Sequence, residues 1–128
     1  MKYVDGFVIV VPEKNLPAYR AMAKRGAEIW MKHGALEYIE CVGDDLNPDM
    51  GGMPVTTFPK MAKAKPGETI VFSFIIFRSK AHRDSVNAKV MADPLMNSTE
   101  GKDMPMPFDM KKVAYGGFSV LVEKRKES

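Results

Sequence analysis

The side chains with the clearest capacity for chemistry are two histidines, His33 and His82. An imidazole exchanges a proton near neutral pH, so each histidine is a candidate general acid or base. His33 ends a helical pattern beside Trp30, where it could reach a cleft between the helix and a sheet. A histidine in the last helical turn is equally suited to capping the final carbonyls. The sequence leaves both roles of His33 open.

The second histidine belongs to a charged triple, His82-Arg83-Asp84. The guanidinium of Arg83 suits a carboxylate or another anion, with His82 as the proton carrier. Adjacent helical residues point in different directions, so the three cannot converge on one ligand without help from other elements. In the structural alternative, Asp84 favours the helix N-terminus, Arg83 pairs with an acid elsewhere, and His82 packs or caps.

Other sequence patterns argue against a metal site, a disulfide and a pair of catalytic carboxylates. The histidines are far apart and no HxH or HExxH spacing occurs, so neither a metal site nor a cofactor is predicted. The single cysteine, Cys41, excludes an internal disulfide and fits a small hydrophobic side chain within a strand. Glu37 and Glu40 fall on opposite faces of that strand, which argues against a glycosidase-like pair of carboxylates.

Hydrophobic spacing predicts the elements that would position these residues, in the order βαββαβ. Strands are predicted at residues 3–11, 35–43, 69–77 and 113–123. A first helix begins at Leu16 or Pro17 with Asn15 as its cap and stops at Gly34. Ser79 caps a second helix that runs to about residue 92. The inward stripe of the first helix comprises Leu16, Tyr19, Ala23, Trp30 and His33, and that of the second comprises His82, Val86 and Val90.

Two long connections, residues 44–68 and 95–112, are rich in proline, glycine and methionine. Methionines at positions 50, 53, 61, 91, 96, 104, 106 and 110 supply flexible thioethers, which suit an adaptable apolar pocket, a dimer seam or simple core filling. The connections and the aromatic stripe predict a pocket for a small apolar or aromatic ligand. Its ligand-binding residues are Tyr19, Trp30, Phe74 and Arg83, with His33 or His82 as the catalytic or polar contact.

The composition favours one soluble domain over residues 1–128, with 45% apolar and 27% charged residues. No apolar run approaches the roughly 20 residues that span a bilayer, and the first residues lack a signal-peptide cleavage site. We therefore expect a cytoplasmic protein without a membrane segment. The net charge of +3 is spread along the chain among acids, so nucleic acid is not an expected partner.

The first and third strands are apolar on both faces. Two helices can cover only one face of a four-stranded antiparallel sheet, so another surface must cover the second face. The simplest cover is the same face of a second copy about a two-fold axis. The pattern thus predicts a homodimer. The Gly116-Gly117 pair within the last strand indicates a bulge or a close approach of another backbone.

Three segments, HGALEYIECVGDD (33–45), HRDSVNAKVMADP (82–94) and MPFDMKKVAYGGF (106–118), resemble the YbaA-like family, a domain of unknown function. The resemblance extends over essentially the whole chain. It implies a ferredoxin-like α+β protomer of the dimeric α+β barrel superfamily, whose sheet pairs with that of a second protomer. It implies no particular activity, since members of that superfamily include enzymes, ligand-binding domains and regulatory domains.

Three functions therefore compete. The first is a small-molecule-binding protein or enzyme with a pocket below the methionine-rich connections. The second is a non-catalytic dimeric interaction or regulatory domain, which predicts no defined cavity. The third is RNA binding, which the same element order serves elsewhere. The third strand, TIVFSFIIF, lacks the RNA-binding signature and is too aliphatic for an exposed surface, so RNA ranks last.

Overall fold

The computed structural model describes residues 1–96 and 106–126. The chain is an α+β protein with a four-stranded antiparallel open sheet and three helices. The elements are β1 (Tyr3–Pro12), α1 (Leu16–Lys32), β2 (Glu37–Val42), α2 (Phe58–Ala62), β3 (Glu68–Phe77), α3 (Lys80–Met91) and β4 (Val113–Ser119). The α+β class is confirmed. Helix α2, a single short helix inside the first long connection, is absent from the prediction.

The strands are ordered β2-β3-β1-β4, so β1 and β3 occupy the centre of the sheet. This agrees with the apolar character of both faces of these two strands. The ladder between β1 and β4 runs without interruption from Tyr3↔Ser119 to Ile9↔Val113, so β4 contains no bulge. Gly117 instead leaves room for a side chain, since a Cβ there would collide with the ring of Tyr3.

Helices α1 and α3 pack on one face of the sheet. Val86 and Val90 of α3 are fully buried, as predicted, and they contact Phe77 of β3 in one hydrophobic cluster. Ile29 of α1 belongs to the same cluster, although it lies outside the predicted stripe. A second cluster joins α1 to β1 and β3 and comprises Ile9, Val11, Tyr19, Ala23 and Val71.

The ends of the long helices follow local chemistry. Gly34 follows α1 with φ of 111°, the left-handed conformation that favours glycine. The Ser79 hydroxyl accepts a hydrogen bond from the backbone N–H of His82, which confirms the predicted cap of α3. Helix α1 begins at Leu16 with Asn15 at its N-cap position, as predicted, but the Asn15 side chain makes no cap hydrogen bond and its amide donates to the carbonyl of Pro107 over 3.0 Å.

The opposite face of the sheet, termed here the open face, has no long helix packed on it. Exposed aromatic side chains mark it: Phe72 is 46% exposed and Phe118 is 61% exposed. Phe58 of α2 approaches this face, with its ring 6.4 Å from that of Phe72, and Val10 and Ile70 on the same face are buried. The open-face positions are Val4, Gly6, Val8, Val10, Pro12, Glu37, Ile39, Cys41, Glu68, Ile70, Phe72, Phe74, Ile76, Ala114, Gly116 and Phe118. Within residues 1–96 and 106–126, every helix is too short or too polar to cross a bilayer.

Candidate functional site

A cavity of about 470 Å³ lies between α1 and the helix-covered face of the sheet. Residues from the connection between α3 and β4 close its rim. The walls are mainly apolar and aromatic. The α1 wall includes Tyr19, Met22, Ala23, Gly26, Ile29 and Trp30, the sheet supplies Phe7, Ile9, Tyr38, Glu40, Ser73 and Ile75, and the rim includes Leu95, Met96, Met106, Phe108 and Met110.

The main polar feature of this cavity is a cluster of Tyr19, Glu40 and Tyr38, termed here the Tyr-Glu-Tyr cluster. The Tyr19 hydroxyl donates to Oε1 of Glu40 over 2.6 Å, and the Tyr38 hydroxyl donates to Oε2 over 2.8 Å. Strand alternation puts Tyr38 and Glu40 on the same face of β2, toward α1. Gly26 of α1 leaves room for the Tyr38 hydroxyl, since a Cβ there would lie 2.9 Å from it.

Both tyrosines of the cluster stay protonated at neutral pH. Burial is the main cause that raises the pKa of Tyr19, and its hydrogen bond to Glu40 raises it further. Burial also raises the pKa of Tyr38, reinforced by the negative charge of Glu40. A phenol has one proton, so each hydroxyl donates it to the carboxylate and keeps only acceptor capacity. The cluster therefore presents acceptors and one negative charge.

A second groove of about 410 Å³ lies behind the cluster, between α1 and β2. It shares Tyr19, Tyr38 and Glu40 with the main cavity, and the exposed side chains of Arg20 and Lys24 border it. The cluster thus forms a wall common to both spaces. From the sequence, Glu40 was considered only as a partner of Glu37 in a glycosidase-like pair, which strand alternation argues against. An acid between Tyr38 and Val42 on an otherwise apolar strand face was the available signal.

Trp30, another wall of the cavity, is held in place by a hydrogen bond. Its indole N–H donates to the side-chain oxygen of Asn87 in α3 over 3.0 Å. The Asn87 amide in turn points at Oδ2 of Asp5, at 3.4 Å. Asp5 is 2% exposed, in the middle of β1. The cavity wall is therefore anchored to a buried polar network that joins α1, α3 and the sheet.

Arg83 lies in this network and not among the residues that line the cavity. Its Nη1 donates to Oδ1 of Asp5 over 2.8 Å and to the Tyr115 hydroxyl over 3.1 Å. Its Nε donates to Asp84 over 2.8 Å, and the guanidinium lies 4.8 Å from the centre of the Tyr3 ring. Arg83 thus clamps a carboxylate of its own chain.

His33 is placed at the C-terminal end of α1, with Nε2 2.6 Å from Oδ2 of Asp93. The Asp93 side chain is 1% exposed and also accepts from Lys32 and from the backbone N–H of Leu95. The Leu95 N–H, followed by the His33 bond, lowers the pKa of Asp93 to about 2. The pair joins the end of α1 to the segment that carries the cavity rim. His33 itself is not among the lining residues that the structure describes.

His82 is held at the junction of β3 and α3. Its Nδ1 accepts from the backbone N–H of Arg78 over 3.0 Å, and its ring packs edge-on against Phe77. Burial, followed by the positive charge of Arg78, lowers the pKa of His82, so the ring is neutral at neutral pH. Like His33, it stands outside the described lining of the cavity.

Of the ligand-binding residues predicted from the sequence, Tyr19, Trp30 and Phe74 meet at the cavity and Arg83 does not. Phe74 forms part of the floor of the cavity. Alternation along β3 directs its side chain to the open face, where its ring lies 5.8 Å from that of Phe72. Within the described ranges, no three His, Cys, Asp or Glu side chains are grouped as metal ligands.

Comparison with known proteins matches residues 2–110 to a family described as "Protein of unknown function (DUF1428)". Over 124 residues, the chain is 44% identical to the uncharacterized protein YbaA of Escherichia coli K12. The alignment covers 97% of this chain and all of that relative. The YbaA proteins of Escherichia coli O157:H7 and Shigella flexneri match with the same identity and coverage.

Proposed function

This chain belongs to the DUF1428 family of proteins of unknown function, and from that premise we propose that it is a homodimeric small-molecule-binding protein. The observation that carries the proposal is the cavity beneath α1. Its volume of about 470 Å³ falls in the range of ligand pockets, roughly 300–1,000 Å³. Apolar walls with a few convergent polar groups are also typical of such pockets.

The aromatic side chains of the cavity walls are held in place before a ligand binds. Hydrogen bonds hold the rings of Tyr19 and Trp30 in place, so little side-chain freedom remains to be lost when a ligand enters. The methionines and Phe108 at the rim belong to irregular segments, which can adapt to the shape of the ligand. A rigid inner wall with an adaptable mouth favours ligand binding over a purely structural void.

The fold supports the finer assignment to the ferredoxin-like type. The order β2-β3-β1-β4, all antiparallel with α1 and α3 on one face, corresponds to a βαββαβ unit in which each crossover helix covers the same side. Two such sheets facing each other would form the dimeric α+β barrel. This assignment and the homodimer are parts of one proposal, because the barrel requires two copies.

The open face supports the homodimer. Phe72 and Phe118 are exposed there, next to the paired glycines Gly6 and Gly116. Each 100 Å² of apolar surface removed from water contributes about 2.5 kcal/mol. A second copy offers a self-complementary apolar surface about a two-fold axis. Sedimentation equilibrium at micromolar concentration is expected to give twice the mass of the chain.

The rival functions fit less well. A purely interactional domain predicts no defined cavity, so the cavity favours ligand binding. The open face holds Glu37 and Glu68 and neither lysine nor arginine at the strand positions named above, so phosphate groups find no cationic partner among them. A catalytic role for His33 or His82 stays a prediction, in which proton transfer would have to occur outside the cavity.

The chain contains one tryptophan, Trp30, which makes intrinsic fluorescence a reporter of the cavity. Screening small apolar and aromatic compounds should yield ligands that change this fluorescence and raise the melting temperature. Phe108→Ala removes an aromatic ring from the rim and is expected to weaken binding several-fold. Met31→Ala, on the exposed surface of α1, is the matched control and should bind as the wild type does.

A dimer whose Trp30 fluorescence and melting temperature respond to no compound of suitable size would overturn the binding proposal. Equal affinities of the Phe108→Ala variant and the wild type would place any ligand outside the cavity.

A further inference from the structure

We propose that the ligand of this cavity is a cationic amine on an apolar or aromatic body, and that the Glu40 carboxylate binds its ammonium group. This inference rests on the proposed function, because it names the class of ligand for the same cavity. Three features of the cavity lead to it: the hydrogen-bonding capacity of the Tyr-Glu-Tyr cluster, the charge near that cluster, and the shape and composition of the walls.

The Tyr-Glu-Tyr cluster can accept hydrogen bonds from a ligand but has no proton left to donate, so the ligand must supply the donor. The two tyrosines give their only protons to Glu40, one to each carboxylate oxygen. An ionised carboxylate has about four acceptor positions, so about two remain available. The phenol oxygens add further acceptor positions. A ligand that carries only acceptors finds no donor in this cluster, whereas an ammonium group supplies up to three.

The charge near the cluster favours a cation. Glu40 carries a negative charge in a partly buried position, and its carboxylate bonds to neutral hydroxyls. The basic side chain that lines the main cavity, Arg25, is exposed at its border. Arg20 and Lys24 border the outer groove and are likewise exposed. The described hydrogen bonds of Glu40 come from neutral hydroxyls, and in surroundings of low polarity its carboxylate attracts an ammonium strongly and repels a ligand carboxylate.

The walls favour an apolar body. Trp30 lies beside the cluster with its ring centroid 6.2 Å from that of Tyr38, and the faces of the two rings can contact both a hydrocarbon group and a cation. Elsewhere in the lining, Ile29 and the rim methionines offer apolar contact alone. The cavity thus combines one charged cluster with apolar walls, which suits a molecule that carries an amine on an apolar body.

Three compounds with the same skeleton test this inference: phenylbutylamine, phenylbutanol and phenylbutanoate. They differ only in a terminal group that is cationic, neutral or anionic at neutral pH. Titrations followed by Trp30 fluorescence report the inner cavity, which Trp30 lines, and not the outer groove. A charge-assisted hydrogen bond predicts that the wild type binds the amine about tenfold more tightly than the alcohol, and the acid most weakly.

Glu40→Gln keeps the size of the side chain and one oxygen that accepts from a tyrosine, but it removes the charge. This variant should lose the tenfold preference for the amine while retaining affinity for the alcohol. Glu28→Gln removes one negative charge from the exposed surface of α1 and is the matched control, expected to keep the preference. If Glu40→Gln fails to fold, the relative affinities of the three compounds for the wild type still test the inference.

The outcomes separate the two proposals. Tighter binding of the amine that depends on Glu40 supports the inference. Binding of the acid or the alcohol as tight as that of the amine overturns it and leaves the proposed function standing. The same amine preference in Glu40→Gln also overturns it, because the cation would then bind elsewhere. No response of Trp30 to any of the three compounds counts against both proposals.

Discussion

The ion pair between Arg83 and Asp5 is expected to be a major support of the fold and of the cavity wall. The Asp5 carboxylate is 2% exposed and receives its guanidinium hydrogen bond over 2.8 Å. Arg83→Met keeps most of the apolar contact of the side chain but leaves Asp5 buried without its cation. Breaking a buried pair in this way costs about 3–5 kcal/mol, which is a large share of the roughly 5–15 kcal/mol that stabilises a typical domain.

Urea unfolding followed in parallel by far-UV circular dichroism and by Trp30 fluorescence measures this loss. The two signals report the whole backbone and the cavity wall, since Asn87 connects Trp30 to Asp5. Lys2→Met breaks the pair with Glu123, in which Lys2 is 24% exposed and Glu123 is 41% exposed. This control should cost no more than about 1 kcal/mol, as is usual for a surface pair.

The double variant Asp5→Leu/Arg83→Met completes the cycle. Replacing both charged groups by apolar groups removes the desolvation cost together with the attraction, so most of the lost stability should return. A loss in Arg83→Met no larger than that in Lys2→Met would refute the importance of the buried pair. A double variant whose loss of stability equals the summed losses of Asp5→Leu and Arg83→Met would refute it equally.

Three further predictions concern the dimer, the cavity and acid stability. Phe118→Lys puts a charge on the open face and should convert the dimer to a monomer in sedimentation equilibrium, whereas Met31→Lys on the outer surface of α1 should not; a dimeric Phe118→Lys variant would contradict the proposed interface. Gly26→Ala should lower stability to urea by about 1 kcal/mol, because the new methyl group crowds the Tyr38 hydroxyl by more than the roughly 1 kcal/mol that alanine gains over glycine in a helix. A variant more stable than the wild type would contradict this. Asp93 has a lowered pKa of about 2, so its contribution to stability is present above its ordinary pKa and disappears as the pH falls towards 2. Asp93→Asn should therefore reduce the loss of stability that urea unfolding measures between pH 6 and pH 2, and an unchanged loss would contradict the assignment.

Much of the secondary structure followed from the sequence, because it depends on short-range spacing. The apolar run of β3, the Ser79 cap and the stop at Gly34 are local signals, and the structure has each of them where it was predicted. Asn15 stands at the predicted N-cap position, but local spacing did not give the bond of its side chain, whose amide donates to the carbonyl of Pro107, a residue 92 positions away. Helix α2 escaped prediction because it is a single short helix in a connection without clear periodicity.

The candidate site was predictable only in part. Tyr19 and Trp30 followed from the helical stripe, since one face of α1 had to be buried. The partner of Tyr19 did not follow from it, because Glu40 comes to it from β2 through the packing of α1 on the sheet. In the same way, the sequence left His33 and Arg83 with several roles, and contacts with Asp93 and Asp5 give each a partner within the chain.

The sequence by itself determined which segments become strands and helices, and which faces of them are apolar, because backbone periodicity and side-chain polarity are properties of neighbouring residues. Tertiary structure alone decided that a carboxylate and two phenols meet in an apolar cavity. The register between β2 and β3 and the position of α1 on the sheet decide which distant side chains come within 3 Å of each other. Those distances separate a partly buried acid with bound hydroxyls from an ordinary surface glutamate.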